Sequence, residues 1–105
     1  MRVQKSELLE FIRSREYVTF EDIEEFFTEK RYNFRGGTDL VFRPSKLVAW
    51  TGWSQRAGRA ILELWGEDKI VFDSVSMSEA PIPPAFRNTK GLSEMNYIPL
   101  HIKAR

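Results

Sequence analysis

A chain of 105 residues, 42% hydrophobic and 30% charged, is long enough for one modest core and too apolar to be disordered throughout. It has no cysteine, which excludes disulfide staples, thiolate zinc sites and cysteine nucleophiles, and its net charge of +1 taken whole says nothing about nucleic acid. No apolar run approaches the roughly 18 residues of a membrane span, and the opening MRVQKSELLEF lacks a signal peptide's apolar centre, so a soluble, cytoplasmic protein with one domain over 1–105 is expected.

The first predicted element is a helix over about 7–16. Ser6 is a suitable N-cap, and Leu8, Leu9, Phe11 and Ile12 recur at the three-and-four spacing of one helical face. A second helix is predicted over about 20–31. Thr19 caps it, with Asp22 placed for a capping box and Val18 with Ile23 for a hydrophobic staple. Phe20, Ile23, Phe26 and Phe27 form its buried stripe, while the carboxylates of EDIEE are expected to face solvent. Lys30 and Arg31 suit the negative end of the helix dipole.

NFRGGTD reads as a loop, and LVFR as a short strand. Pro44 fits the start of a further short helix over about 45–51, carrying Leu47, Val48 and Trp50 and ended by Gly52 in a left-handed cap. Ser54 then caps a helix over 54–66. Ala57, Ala60, Ile61, Leu64 and Trp65 cluster on one of its sides, and Gln55, Arg56, Arg59 and Glu63 on the other. Gly58 costs about 1 kcal/mol against alanine in a helix interior, which points to close approach of a neighbouring helix. KIVFDSVS and NYIPLHIK read as strands over about 69–76 and 96–103 that pair as a hairpin, with Pro99 marking an edge and a long loop over 77–95 between them.

Charge is unevenly distributed along these elements. Residues 1–30 hold five basic and eight acidic side chains, whereas residues 31–65 hold six basic and two acidic. Residues 66–86 return to an acidic excess, and residues 87–105 to a basic one. A nearly neutral molecule can therefore present one basic face to a phosphate backbone.

The order helix, extended piece, helix, helix and two strands resembles the winged helix-turn-helix superfamily, an α+β fold. SKLVAWTGWSQRAGRAILELWGEDKIV carries the resemblance best, and YVTFEDIEEFF resembles the segment between first strand and second helix. The second helix of the pair is either 20–31, with 32–53 as an insertion, or 45–51.

The resemblance implies that the helix at 54–66 enters the major groove of double-stranded DNA, with Gln55, Arg56 and Arg59 reaching base edges and Ser54 a phosphate. Arginine can fork onto guanine and glutamine onto adenine. Lys46, Arg43 and Arg35 would hold phosphates, and Arg87 and Lys90 would sit at the wing tip. A small transcriptional regulator acting as a homodimer on a palindromic site is the expectation, with neither a cofactor nor a small-molecule substrate implied. The bland alternative is that these cations form an ordinary solvated face.

Two other functions fit less closely. A protein docking module would use the acidic second helix; an RNA or single-strand binder would use an exposed Trp53. Trp50, Trp53 and Trp65 are expected in the core. A single histidine, His101, supports no Ser-His-Asp arrangement, and no phosphate cradle surrounds Gly36 and Gly37, so no enzyme chemistry is expected.

Overall fold

The computed structural model describes residues 4–42, 47–83 and 97–105. Two helices lead the chain. Helix α1, Lys5–Arg13, starts two residues before the sequence pattern begins: its N-cap is Gln4, whose backbone N–H donates to Glu7 Oε1 at 3.5 Å, and not Ser6. Helix α2, Phe20–Glu29, is capped as its sequence requires. Thr19 Oγ1 accepts the Asp22 N–H at 3.2 Å and Asp22 Oδ2 accepts the Thr19 N–H at 2.9 Å, satisfying two of the helix's unpaired donors. Leu8, Leu9 and Ile12 of α1 and Phe20, Ile23, Phe26 and Phe27 of α2 are buried together.

The next segment departs from expectation. Strand β1, Arg35–Phe42, contains the strand expected at LVFR as far as Phe42 but starts inside the expected loop, and strand β2, Leu47–Trp53, occupies the expected helix over 45–51. The two pair antiparallel, and the backbone N–H of Ile98 donates to the Val48 carbonyl on β2's other edge at 2.9 Å. Ala49, Trp50 and Thr51 are consecutive and all buried, so β2 is covered on both faces. A strand of that kind shows a continuous apolar run, which periodicity cannot separate from a buried helical turn. Of the two positions considered for a helix before residue 54, only the one at α2 is helical.

Gly52 does adopt a left-handed conformation, with φ 86°, but as a strand irregularity rather than a helix cap. Leu40 pairs with Trp50 and Thr38 with Trp53, so β2 spends one more residue than β1 over this interval. Residues three apart in a regular strand face opposite ways; the extra residue restores Trp50 and Trp53 to one side. Both indole N–H groups then donate to the same oxygen, Glu24 Oε2, each at 2.9 Å. Glu24 is accordingly half-buried, unlike the solvated carboxylate that its place in EDIEE suggests. Phe20 stacks on Trp50 at 5.4 Å, and Phe27 and Phe34 meet Trp53 edge-on at 5.4 and 6.4 Å.

Helix α3, Gln55–Gly66, follows β2 directly, and strands β3, Ile70–Ser74, and β4, Leu100–Ala104, pair antiparallel in the register Phe72 to Ile102. A hairpin of the two C-terminal strands was expected and is present, although shorter than 69–76 and 96–103. Pro99 precedes β4 rather than lying within it, and its carbonyl accepts the Val75 N–H at 3.0 Å. Val18 extends this ladder: it exchanges two backbone hydrogen bonds with Ile102, both 2.8 Å, and both side chains are fully buried. The extended piece between α1 and α2 is thus a one-residue strand beside β4. A 3-10 turn over Met77–Glu79 begins the connection to β4, of which residues 84–96 lie outside the described part. The described residues are therefore α+β, with three α-helices and two small antiparallel hairpins. None of these helices is long and apolar enough to cross a membrane.

Two stability experiments follow from the Trp50–Glu24–Trp53 contact. Glu24→Ala strands two buried indole donors, each costing about 1–3 kcal/mol, so urea unfolding should show a loss of roughly 2–4 kcal/mol; Glu24→Gln, which keeps an acceptor oxygen, should recover most of it. Gly52→Ala places a Cβ at positive φ and should cost about 1–2 kcal/mol by the same measurement.

Candidate nucleic-acid interface

The start of α3 is fixed from three directions. Ser54 Oγ accepts the Ala57 N–H at 3.1 Å, its backbone N–H donates to the Phe34 carbonyl at 2.6 Å, and its carbonyl accepts the Gly58 N–H at 3.0 Å. The capping role expected of Ser54 is present, and it occupies the hydroxyl's acceptor side while leaving its proton free to donate. Gly36 of β1 presses on the same point: a Cβ there would lie 2.7 Å from Ser54 Cα and 2.9 Å from the Trp53 carbonyl oxygen. Only glycine lets β1 lie that close.

The inner face of α3 buries Ala57, Gly58, Ile61 and Leu64. The close neighbour of Gly58 is a strand, not the helix that was expected: a Cβ at this position would come within 2.9 Å of Leu40 Cδ2 of β1. Trp65 also departs from expectation. It is 44% exposed, its ring packed edge-on against Phe42 at 5.7 Å and tilted against Phe72 at 5.6 Å. Trp65 lies one residue beyond buried Leu64, near the C-terminal end of the helix, where Phe42 and Phe72 cover one part of its ring and the rest is open. Trp50 and Trp53 are core residues, 1% and 0% exposed, and neither is available to stack on a base.

Gln55, Arg56 and Arg59 are all exposed on the outer face of α3. Neither guanidinium takes part in an ion pair among the described residues. Arg56 lines a shallow concavity of about 330 Å³ with Ser54, Arg31, Tyr32 and Asn33. Gln55 and Arg59 line a second, of about 340 Å³, with Thr38, Asp39 and Leu40 of β1 and with Leu62 and Glu63. The structure thus holds the three expected base-reading residues on one helix end, open to solvent but bordered by β1.

Arg35 stands elsewhere. Its guanidinium lies 5.0 Å over the Phe34 ring, and it lines a cleft of about 550 Å³ with Glu21, Glu24, Glu25 and Glu29 of α2. It is placed among carboxylates rather than beside Arg56, which does not suit the phosphate contact expected of it. Arg43, Lys46, Arg87 and Lys90 fall outside the described residues.

Arg31 joins the site without having been singled out beyond its dipole role. It follows the C-cap of α2 at φ 56°, while the next N–H, of Tyr32, returns to the Phe27 carbonyl at 2.9 Å. Glycine is the usual residue at such a helix exit. The local sequence signal, a cation closing an acidic helix, does not disclose that the turn aims it beside Arg56.

On the other flank of α3, Lys5 Nζ binds Glu63 Oε1 at 3.1 Å and Glu67 Oε2 at 2.6 Å. The Glu67 and Glu63 carboxylates hold the Lys5 ammonium above its ordinary pKa. His101 has a structural position: its ring lies parallel to Tyr17 at 3.8 Å and its Nε2 meets the Glu79 carbonyl at 2.7 Å, which requires the proton on Nε2. Among the described residues no three His, Asp or Glu side chains converge as a metal site. No family model, curated protein or solved structure matches the chain.

The left-handed exit at Arg31 and the close backbone approach at Gly36 each have a stability test. Arg31→Gly relieves the left-handed conformation and should raise stability by about 1 kcal/mol in urea unfolding, whereas Gly36→Ala, pressed against backbone, should lower it by about 1–3 kcal/mol.

Proposed function

We propose that the chain binds double-stranded DNA through α3, as a small winged helix-turn-helix regulator of transcription that acts as a homodimer in the cytoplasm. The observation that carries this reading is a pair of exposed arginines, Arg56 and Arg59, unpaired among the described residues, on the first turns of a helix sealed into the core on its opposite face.

A single helix fits the roughly 12 Å width of the major groove. Arginine can donate two hydrogen bonds to one guanine, and glutamine can meet an adenine edge in the same bidentate way, so Gln55, Arg56 and Arg59 are suited to base edges. Arg31, beside Arg56 in the same concavity, is suited to a flanking phosphate. The chain order supports the reading too: helix, extended Val18, helix, helix and a final hairpin, with β1 and β2 inserted before α3. One recognition helix contacts a short site, which is why a two-fold dimer on a palindrome belongs to the proposal.

A docking module for a basic protein segment is the second reading. It rests on the cleft beside α2, where Glu21, Glu24, Glu25 and Glu29 line one wall.

Titration of a random-sequence duplex pool, followed by fluorescence anisotropy over a series of salt concentrations, tests the two together. Duplex binding should weaken steeply with salt as phosphate counterions return. Arg56→Ala/Arg59→Ala should weaken it about tenfold and make its salt dependence shallower, because two cations that displace phosphate counterions are lost. Equal affinity of the double variant and the wild type would remove α3 from the interface. Absence of duplex binding at every salt concentration would leave the docking reading.

A further inference from the structure

Arg59 and Glu63 stand four residues apart on α3, the spacing at which oppositely charged side chains meet on a helix surface. They are not an ion pair here. Glu63 Oε1 is bound instead to Lys5 Nζ, at 3.1 Å, from the first residue of α1. The same ammonium holds Glu67 Oε2 at 2.6 Å, one turn further along α3. Glu63 and Glu67 are themselves four apart, a spacing at which like charges repel, so one cation between them relieves the repulsion while it holds both carboxylates. Asp39, the other carboxylate that lines the groove with Arg59, forms no ion pair with it either.

We propose that Lys5 is a positioning residue for Arg59: by holding the Glu63 carboxylate, it denies Arg59 its neighbour on the helix and keeps that guanidinium available to an anionic partner. Lys5 touches no part of the partner. Its effect passes through Glu63 alone, which distinguishes it from a cation that attracts polyanions at a distance. That the anion is duplex DNA rests on the function proposed above; the hold of Lys5 on Glu63, and its consequence for Arg59, does not.

A double-mutant cycle reads the coupling. Lys5→Gln frees Glu63 to pair with Arg59 and should weaken duplex affinity about two- to fivefold, the effect of one exposed ion pair. In a Glu63→Gln background no competing carboxylate remains, so Lys5→Gln should change affinity by less than about 1.5-fold. Lys5→Arg, which keeps the cation, should restore wild-type affinity. If Lys5→Gln costs the same in both backgrounds, Lys5 acts only as bulk charge and the proposal fails.

A second readout needs no DNA. The Arg59 Nε–H heteronuclear NOE in NMR should rise in Lys5→Gln, as Glu63 fixes the guanidinium, and return to the wild-type value in Lys5→Gln/Glu63→Gln. An NOE indifferent to Lys5→Gln overturns the proposal even if duplex binding is strong. The expected NOE pattern in a protein that binds no duplex would sink the DNA reading and leave the assignment of Lys5 intact. Thermal unfolding of each variant guards against loss of fold, since all these changes lie on surface side chains.

Discussion

One carboxylate oxygen receives both buried indoles of β2, and the placement of α3 depends on it. Trp50 and Trp53 lie fully in the core, and each carries a donor that must be satisfied once buried. Glu24 Oε2 serves both at 2.9 Å, which ties β2 to α2 across 26 and 29 residues of sequence. Apolar contact between the same elements would tolerate sliding; two hydrogen bonds converging on one atom do not. Ser54 is the residue after Trp53, so the anchor that locates β2 also locates the cap of α3. The direction in which Arg56 and Arg59 point is therefore set three links away, at a glutamate on a different helix.

The helix so placed is packed for closeness on one side and left open on the other. Ala57 and Gly58 are the smallest residues available for the inner face, and Leu40 fills the space that a larger side chain at 58 would take. Gly58 weakens the helix by about 1 kcal/mol relative to alanine, and Arg31 sits in a conformation that glycine holds at less cost. Gly58 lies on the buried side of α3, where contact with Leu40 accounts for it, whereas Arg31 lines the concavity that holds Arg56. Asp68, just past α3 at φ 59°, carries the same backbone cost away from that concavity.

Elements whose signals are local were legible in the sequence. The Thr19–Asp22 capping box, the apolar stripe of α2, the Ser54 cap and, Trp65 apart, the two faces of α3 each occupy a few adjacent residues, and each appears where its pattern places it. The β1–β2 hairpin was not legible. Leu47, Val48 and Trp50 are equally compatible with a helical turn, and the feature that decides for a strand is pairing with Arg35–Phe42, of which only the end, in LVFR, reads as strand while the part that carries Gly36 and Gly37 reads as a loop. Glu24 was hidden for the same reason: nothing in EDIEE distinguishes the one glutamate that two distant tryptophans reach. Exposure of Trp65 depends on what fails to cover it, and helical periodicity carries no such information.

A net charge of +1 conceals two opposed fields, and their separation bears on whether a polyanion can approach α3 at all. The described fold measures 37 × 26 × 25 Å, several times the ~8 Å screening length at physiological salt. Charges on one face are thus weakly felt on the other. The acidic cleft of α2 and the concavity that holds Arg56 are not fully separated, however, because residues 31–35 border both: Arg31, Tyr32 and Asn33 line one, Phe34 and Arg35 the other. A duplex seated on Arg56 would lie beside that strip, on the far side of which Glu25 and Glu29 line the acidic cleft. Lowering the salt strengthens the attraction of Arg56 and Arg59 and the repulsion of these carboxylates together. The salt dependence of duplex affinity should then be shallower than the number of phosphate-contacting arginines alone implies, and the carboxylates of α2, rather than a missing cation, would account for the difference.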